Sequence, residues 1–195
     1  KNHKLENLIG EQLVGCGFNE IMNNSLTKTA YYTDLKTFSA DTTVKVMNPL
    51  SADLGVMRQT LLFGGLESIM RNANRKNANL RFFEFGNCYH YDAGKWTAEE
   101  PVKAYVQEKH LSLWVTGKRV EGSWAHANED STFYELKAYV ENIFARLGVA
   151  QGTFVIENCD NDIFSKAIAI RTRAGKTLAE LGIISRKILK QADIS

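Results

Sequence analysis

The residues of this chain whose types could do chemistry are four histidines, two carboxylate pairs and one cluster of cations. His3, His90, His110 and His126 could exchange protons near neutral pH. None stands beside a serine or cysteine in a nucleophile motif, so solvated or structurally bonded imidazoles are the simpler reading. Glu99-Glu100 and Asp160/Asp162 offer the hard oxygen ligands a divalent ion takes, yet their spacing matches no calcium loop. The segment MRNANRKNANLR, Met70–Arg81, sets Arg71, Arg75, Lys76 and Arg81 among asparagines. Such cations can neutralise phosphate, or they can complement the dipole at a helix C-terminus. No glycine pattern of a P-loop or dinucleotide fold is present. From the residues alone there is no committed active site.

The elements that must position these groups are more legible. Leu5, Leu8, Ile9, Leu13 and Cys16 share one helical face, and Gly17 is placed to end that helix. Phe18–Met22 reads as a strand leaving it, and Thr43–Met47 as a short strand broken by the Asn48-Pro49 turn. A second helix spans about Thr60 to Arg75. Gly64-Gly65 inside it costs about 1 kcal/mol each against alanine, which predicts the close approach of another backbone. Long strands follow over Leu80–Tyr91 and Val102–Thr116. Thr132-Phe-Tyr-Glu135 has capping-box spacing, and Phe133, Leu136, Val140, Ile143, Phe144 and Leu147 form the stripe of a third helix. Strands at Thr153–Glu157, Ala167–Thr172 and Thr177–Ile184 precede a short helix from about Ser185. This order predicts an α+β fold, an antiparallel sheet flanked by helices, with residues 1–195 as a single domain.

Composition narrows the setting. The chain has 195 residues, 44% hydrophobic and 24% charged, with net charge +2, which argues neither for nor against nucleic acid. No apolar run is long enough to span a bilayer, and no secretory signal pattern opens the chain. It starts abruptly on a helical pattern, as if cut from something longer. Three widely spaced cysteines suit a reducing cytoplasm, and without CxxC or paired-histidine spacing they do not suggest zinc.

One ordered combination of motifs is far more specific than its parts. VMNPLSADLGVMRQTLLFGGLESIMRNANRKNANLRFFEFGNCY, Val46–Tyr89, resembles the pattern NPLS…MR.SLLPGLL..L..N…..LFEIG.VF of the bacterial phenylalanine–tRNA ligase beta-subunit family. HLSLWVTGKRVEGSWAHANEDSTFYELKAYVENIFARLGV, His110–Val149, is similar to that family's G……W……DFYDLKG.VE.LL..LG. The closing GKTLAELGIISRKILKQADI resembles G..IG.LGE.HP.VL…D. Gly64 stands where the family has proline, Ala138 where it has glycine, and Ile184-Ser185-Arg186 where histidine–proline is common.

The resemblance implies a class II synthetase-like module, related to the catalytic fold of the alpha subunit but without catalysis of its own. It further implies an assembly of two alpha and two beta chains in the cytoplasm that charges tRNA with phenylalanine. That assembly would use ATP and magnesium, with no cofactor held in this stretch. The family's acidic magnesium-binding segment would lie before Lys1 and its anticodon-binding domain after Ser195.

A class II site clamps the ATP α-phosphate with an arginine in a second motif, roughly G..FR.E, because a planar charged fork must meet the charge that shifts there. In that frame Gly86–Asp92 reads GNCYHYD, with His90 in the arginine's place and Asp92 in that of the acid. An imidazole of reference pKa about 6.5 is mostly neutral at pH 7 and makes no bidentate contact. No glycine-rich third motif with its arginine appears, so catalytic residues are expected to be absent. The family's first motif, a helix used for subunit contact, falls on Leu5–Gly17. This makes Leu5, Leu8, Ile9 and Leu13 candidates for a partner interface, though part of that stripe could equally pack on its own sheet. Arg71, Arg75 and Lys76 are candidates for tRNA contact. Two other readings stay open: a nucleotide- or amino-acid-binding enzyme with a partial class II site on His90 and Glu84, and a stand-alone RNA-binding module using Met70–Arg81.

Overall fold

The structure, a computed structural model, describes residues 2–194. In chain order the elements are α1 (Asn2–Gly15), β1 (Asn19–Glu20), β2 (Leu26–Thr27), β3 (Val56–Met57), α2 (Leu62–Ala73), β4 (Leu80–Tyr91), β5 (Tyr105–Thr116), β6 (Lys118–Val120), β7 (Glu129–Asp130), α3 (Phe133–Arg146), β8 (Phe154–Cys159), β9 (Phe164–Thr172), β10 (Thr177–Ile184) and α4 (Arg186–Gln191). The fold is α+β and mainly antiparallel. Its long strands form two three-stranded sheets, β1-β4-β5 and β10-β9-β8, with the two-stranded antiparallel pairs β2-β3 and β6-β7 beside them. Strand β1 pairs with β4 in parallel, through Asn19 with Phe82 and Glu20 with Phe83. That departure follows from its connection: a long crossover between β1 and β4 permits parallel pairing, whereas β4 and β5 meet as antiparallel neighbours.

Alternation along β4 sorts its side chains to two faces. Phe82 and Cys88 join Trp114 of β5 and Leu62, Phe63, Leu66 and Ile69 of α2 in the larger core, which also takes in Ile188 of α4. Phe83 and Phe85 face the other way, onto Ile9 and Leu13 of α1 and Ile143 of α3. The central sheet therefore lies between α2/α4 and α1/α3. Of the stripe expected on α3, only Ile143 is fully buried, and Leu147 is exposed.

Several expectations change at this level. Thr43–Met47 is not a strand; it keeps a single bridge, Lys45 to Val56, before the chain turns. Residues 101–104 form a 3₁₀ turn with Pro101 at its start, so β5 begins only at Tyr105. The helix cap at Thr132 is half of a capping box. Its hydroxyl accepts the Glu135 amide at 3.3 Å, but the Glu135 carboxylate turns to Arg81 at 3.0 Å and accepts the Tyr139 hydroxyl at 3.2 Å. Where the family's histidine–proline is missing, the Ser185 hydroxyl caps α4 by accepting from the Ile188 amide.

The approach at Gly64-Gly65 is by side chains, not by backbone. A Cβ at Gly65 would sit 2.1 Å from the Trp114 ring, and one at Gly64 would sit 2.9 Å from the Asn23 side chain. The glycine cost inside α2 thus permits the indole to lie flush on the helix. Gly65→Ala is expected to destabilise the fold by about 1–3 kcal/mol through overpacking, read as a lower urea midpoint; an unchanged midpoint would mean that α2 and Trp114 separate freely.

Candidate functional site

The face of β4 over which a class II site would lie carries the protein's own side chains. Arg58 follows β3, held by its amide to the Ser25 carbonyl and by its carbonyl to the Tyr89 amide, each at 2.8 Å. Its guanidinium crosses β4 at Gly86, where a Cβ would lie 2.2 Å from Nη2 and 2.7 Å from Leu61. Nη1 meets Glu84 Oε1 at 2.6 Å, and Nε donates to the Asn87 carbonyl at 2.9 Å. The second carboxylate oxygen of Glu84 accepts from Asn23 Nδ2 at 2.8 Å, and Asn23 Oδ1 in turn accepts the Ser68 hydroxyl of α2 at 3.1 Å. Arg58 is 6% and Glu84 1% exposed. The network ties β3, β4, α2 and the segment after β1 at one point.

Sequence reasoning missed Arg58 and Asn23 as partners of Glu84. The available signal was a glycine, Gly86, in the middle of an otherwise aromatic strand, which marks close approach by another group. Glu84 is consequently not an open polar group at the floor of a pocket. Next along the same face, burial pushes the Cys88 thiol up to about 11, partly opposed by the Arg58 charge, so it is an inert thiol at neutral pH. Cys16, Cys88 and Cys159 are all unpaired thiols.

His90 lies one alternation beyond Cys88, half-buried and opposite Val106 of β5. Asp92 turns away into the local chain: its carboxylate accepts the Gly94 amide at 3.1 Å and pairs with Lys95 at 3.2 Å. The structure therefore gives Asp92 a turn-capping role. His3 and His126 are exposed, and His110 lies 3.4 Å from Glu108 on exposed strand. Glu99 and Glu100 are exposed, the latter paired with Lys103. Among the described residues no three His, Cys, Asp or Glu side chains gather as a metal site would require.

The other carboxylate pair has a structural use. Asp160 is exposed, whereas Asp162 accepts the Lys36 amide at 2.5 Å, the Thr37 amide at 3.1 Å and the Thr37 hydroxyl, clamping a loop more than 120 residues away in sequence. Burial works against its charge, but the Thr37 hydroxyl and the two amides outweigh this and hold the carboxyl below its ordinary value.

The α1 stripe divides. Ile9 and Leu13 are buried in the chain's own core, at 2% and 1% exposure, and present no surface to a partner. Their position follows from facing Phe83 and Phe18. Leu5 is exposed, and Leu8 lines an open groove of about 530 Å³ with Glu11 and Gln12 of α1 and Asn142 and Arg146 of α3. Buried Gln12 Oε1 has no hydrogen-bond partner in that groove among the described residues. Arg71, Arg75 and Lys76 stand exposed at the end of α2, with Arg71 folded back onto the Glu67 carbonyl at 3.3 Å.

Comparison with known proteins agrees with this architecture. The model of the phenylalanyl-tRNA synthetase beta chain CLM domain matches residues 1–195. The chain belongs to that family. The phenylalanine–tRNA ligase beta subunit of Bacteroides fragilis is 58% identical over 194 residues, and that of Porphyromonas gingivalis 44%. In both cases all of this chain is covered but only 24% of the relative, so the CLM chain spans about a quarter of the length of these proteins. Among solved structures, a pyrrolysyl-tRNA synthetase from Desulfitobacterium hafniense superposes with TM-score 0.67 at 14% identity, over 98% of this chain and 62% of that one. At that identity the likeness is one of fold, and the fold is that of a class II synthetase. Among the described residues no helix of the CLM chain is long and apolar enough to cross a membrane.

Two outcomes follow. Arg58→Leu strands a buried carboxylate and is expected to cost about 3–5 kcal/mol, whereas the double change Arg58→Leu/Glu84→Leu recovers a large part of it; a double loss equal to the sum of the Arg58→Leu and Glu84→Leu losses in chemical denaturation would mean the pair is not coupled. For Asp162, a folded value below the unfolded one means its stabilisation is present above about pH 3.9 and disappears as pH falls through the folded value. Asp162→Asn should thus narrow the gap in urea midpoint between pH 7 and pH 3, and an unchanged gap would contradict the clamp.

Proposed function

We propose that this CLM chain is the non-catalytic, synthetase-like module of a phenylalanine–tRNA ligase beta subunit, supporting an active site in the alpha subunit and holding the two together. The whole ligase would consume ATP with magnesium and charge tRNA in the cytoplasm. The observation that carries this reading is Arg58 lying across Gly86 on β4. A nucleotide laid on that face would need the space taken by Arg58 and Leu61 and a cationic fork where the chain has His90. The guanidinium present is already spent on Glu84 and Asn87. Evicting it would leave Glu84 charged and unpaired in the interior, a cost of several kcal/mol. The same fact disfavours a partial class II enzyme built on His90 and Glu84.

The assembly role is supported by α1. With Ile9 and Leu13 committed to the core, Leu5, Leu8 and the α1/α3 groove are what remains of the expected interface, and Val14 is exposed on the same helix. A helix of the alpha subunit seated there would cover these side chains.

The test is His90→Ala in the assembled ligase, assayed by phenylalanine-dependent ATP–pyrophosphate exchange. Exchange should stay within about twofold of the parent, whereas a fall of about a hundredfold, the size seen when a transition-state donor is removed, would overturn the non-catalytic reading.

A further inference from the structure

We infer that the loop end of α2 and the β6–β7 hairpin form one RNA-contacting edge, in which Trp124 stacks on an unpaired base and Arg75, Lys76, Lys118 and Arg119 meet phosphates. This rests on the ligase reading above for the identity of the RNA, a tRNA, but not for the contact itself.

Trp124 is 100% exposed at the tip of the hairpin. The hairpin is not a loose loop. Lys118 and Val120 pair with Asp130 and Glu129, the Ser123 amide donates to the His126 carbonyl at 2.9 Å, and Asn128 Oδ1 accepts the Gly122 amide at 2.7 Å and Lys118 Nζ at 3.0 Å. An aromatic held out on an ordered support loses little freedom when it stacks. The flanking tip residues Gly122, Ser123, Ala125 and His126 supply no apolar surround of the kind found at the centre of a protein interface.

Asn79 joins this hairpin to the basic turn. Its Oδ1 accepts the Lys118 amide at 2.8 Å, and its Nδ2 donates to Glu121 at 2.6 Å. Residues 75–79 and 117–121 are therefore one surface, with Arg75, Lys76, Lys118 and Arg119 exposed upon it. Glu129 and Asp130 lie in β7 of the same hairpin, and Glu121 is occupied by Asn79. Cations beside an exposed ring are how single-stranded and looped RNA is held: the charges follow the backbone and the ring takes a base.

A third observation points the same way. The Lys76 amide donates to Ala73 and the Asn77 amide to Asn72, closing the end of α2 with Lys76 at φ 63. This is the left-handed position at which helices ordinarily place glycine. A lysine there strains the backbone, and such strain persists where another requirement holds the residue in place.

The test uses the full-length ligase, with tRNA affinity titrated directly from fluorescence as well as KM for tRNA in charging. Trp124→Ala should weaken binding about tenfold and Trp124→Phe much less, given the strength of stacking on aromatic rings. Arg75→Ala/Lys76→Ala should weaken it and lower the salt slope by roughly 0.7 per cation. Lys76→Gly separates function from folding: melting temperature should rise while tRNA affinity falls. Unchanged affinity in the Trp124 and cation variants overturns the inference. Loss of alpha–beta association in those variants, seen by size-exclusion chromatography, overturns it in favour of a protein-binding surface. Because binding is titrated independently of pyrophosphate exchange, failure here leaves the non-catalytic reading to its own assay.

Discussion

A buried guanidinium and carboxylate, Arg58 on Glu84 at 2.6 Å, set the constraint on which the rest of this fold depends. Two charges withdrawn from water to this degree are tolerable only when each is paired and its remaining hydrogen-bonding capacity is met. Here Asn23, the Asn87 carbonyl and Ser68 complete the arrangement, and each comes from a different segment. β3 must then lie where it does, β4 must carry glycine at position 86, and α2 must present Ser68 to the same point.

Around that point the two faces of the central sheet have separate tasks. The α2/α4 face is closed by aromatic and aliphatic packing, with Tyr31 stacked on Phe63 at 4.3 Å and the Trp114 ring against Gly65. The α1/α3 face buries Ile9 and Leu13 and stops there, leaving Leu5, Leu8 and a groove. The chain spans 24% of the length of the relatives it matches.

Much of this was legible in the residues. Strand β4 runs Leu80–Tyr91, as its pattern predicts, and the cap at Thr132 starts α3. These are local signals, alternation and a side-chain oxygen three residues from an amide, and local signals survive tertiary context. Thr43–Met47 failed because its alternation has almost no partner strand; pairing depends on what lies across from a segment. Which part of the α1 stripe packs on the chain's own sheet stays open in the sequence, because periodicity records only that residues share a face, not how far down that face the sheet extends. Arg58 was invisible for a related reason. An arginine 26 residues from its carboxylate partner leaves no periodic trace, and only Gly86 hinted at its passage. The left-handed backbone at Lys76 and the full exposure of Trp124 escape as well, since strain and exposure are properties of the folded chain.

The central claim is that the β4 face, filled by Arg58, receives no nucleotide even when the whole ligase is turning over. Photo-cross-linking of the assembled ligase with an azido-ATP, mapped by peptide mass spectrometry, addresses it most directly. Label is expected on the alpha subunit and none on Glu84–Asp92 of this chain. Saturable labelling of His90 or its strand neighbours, competed by ATP, would contradict the account.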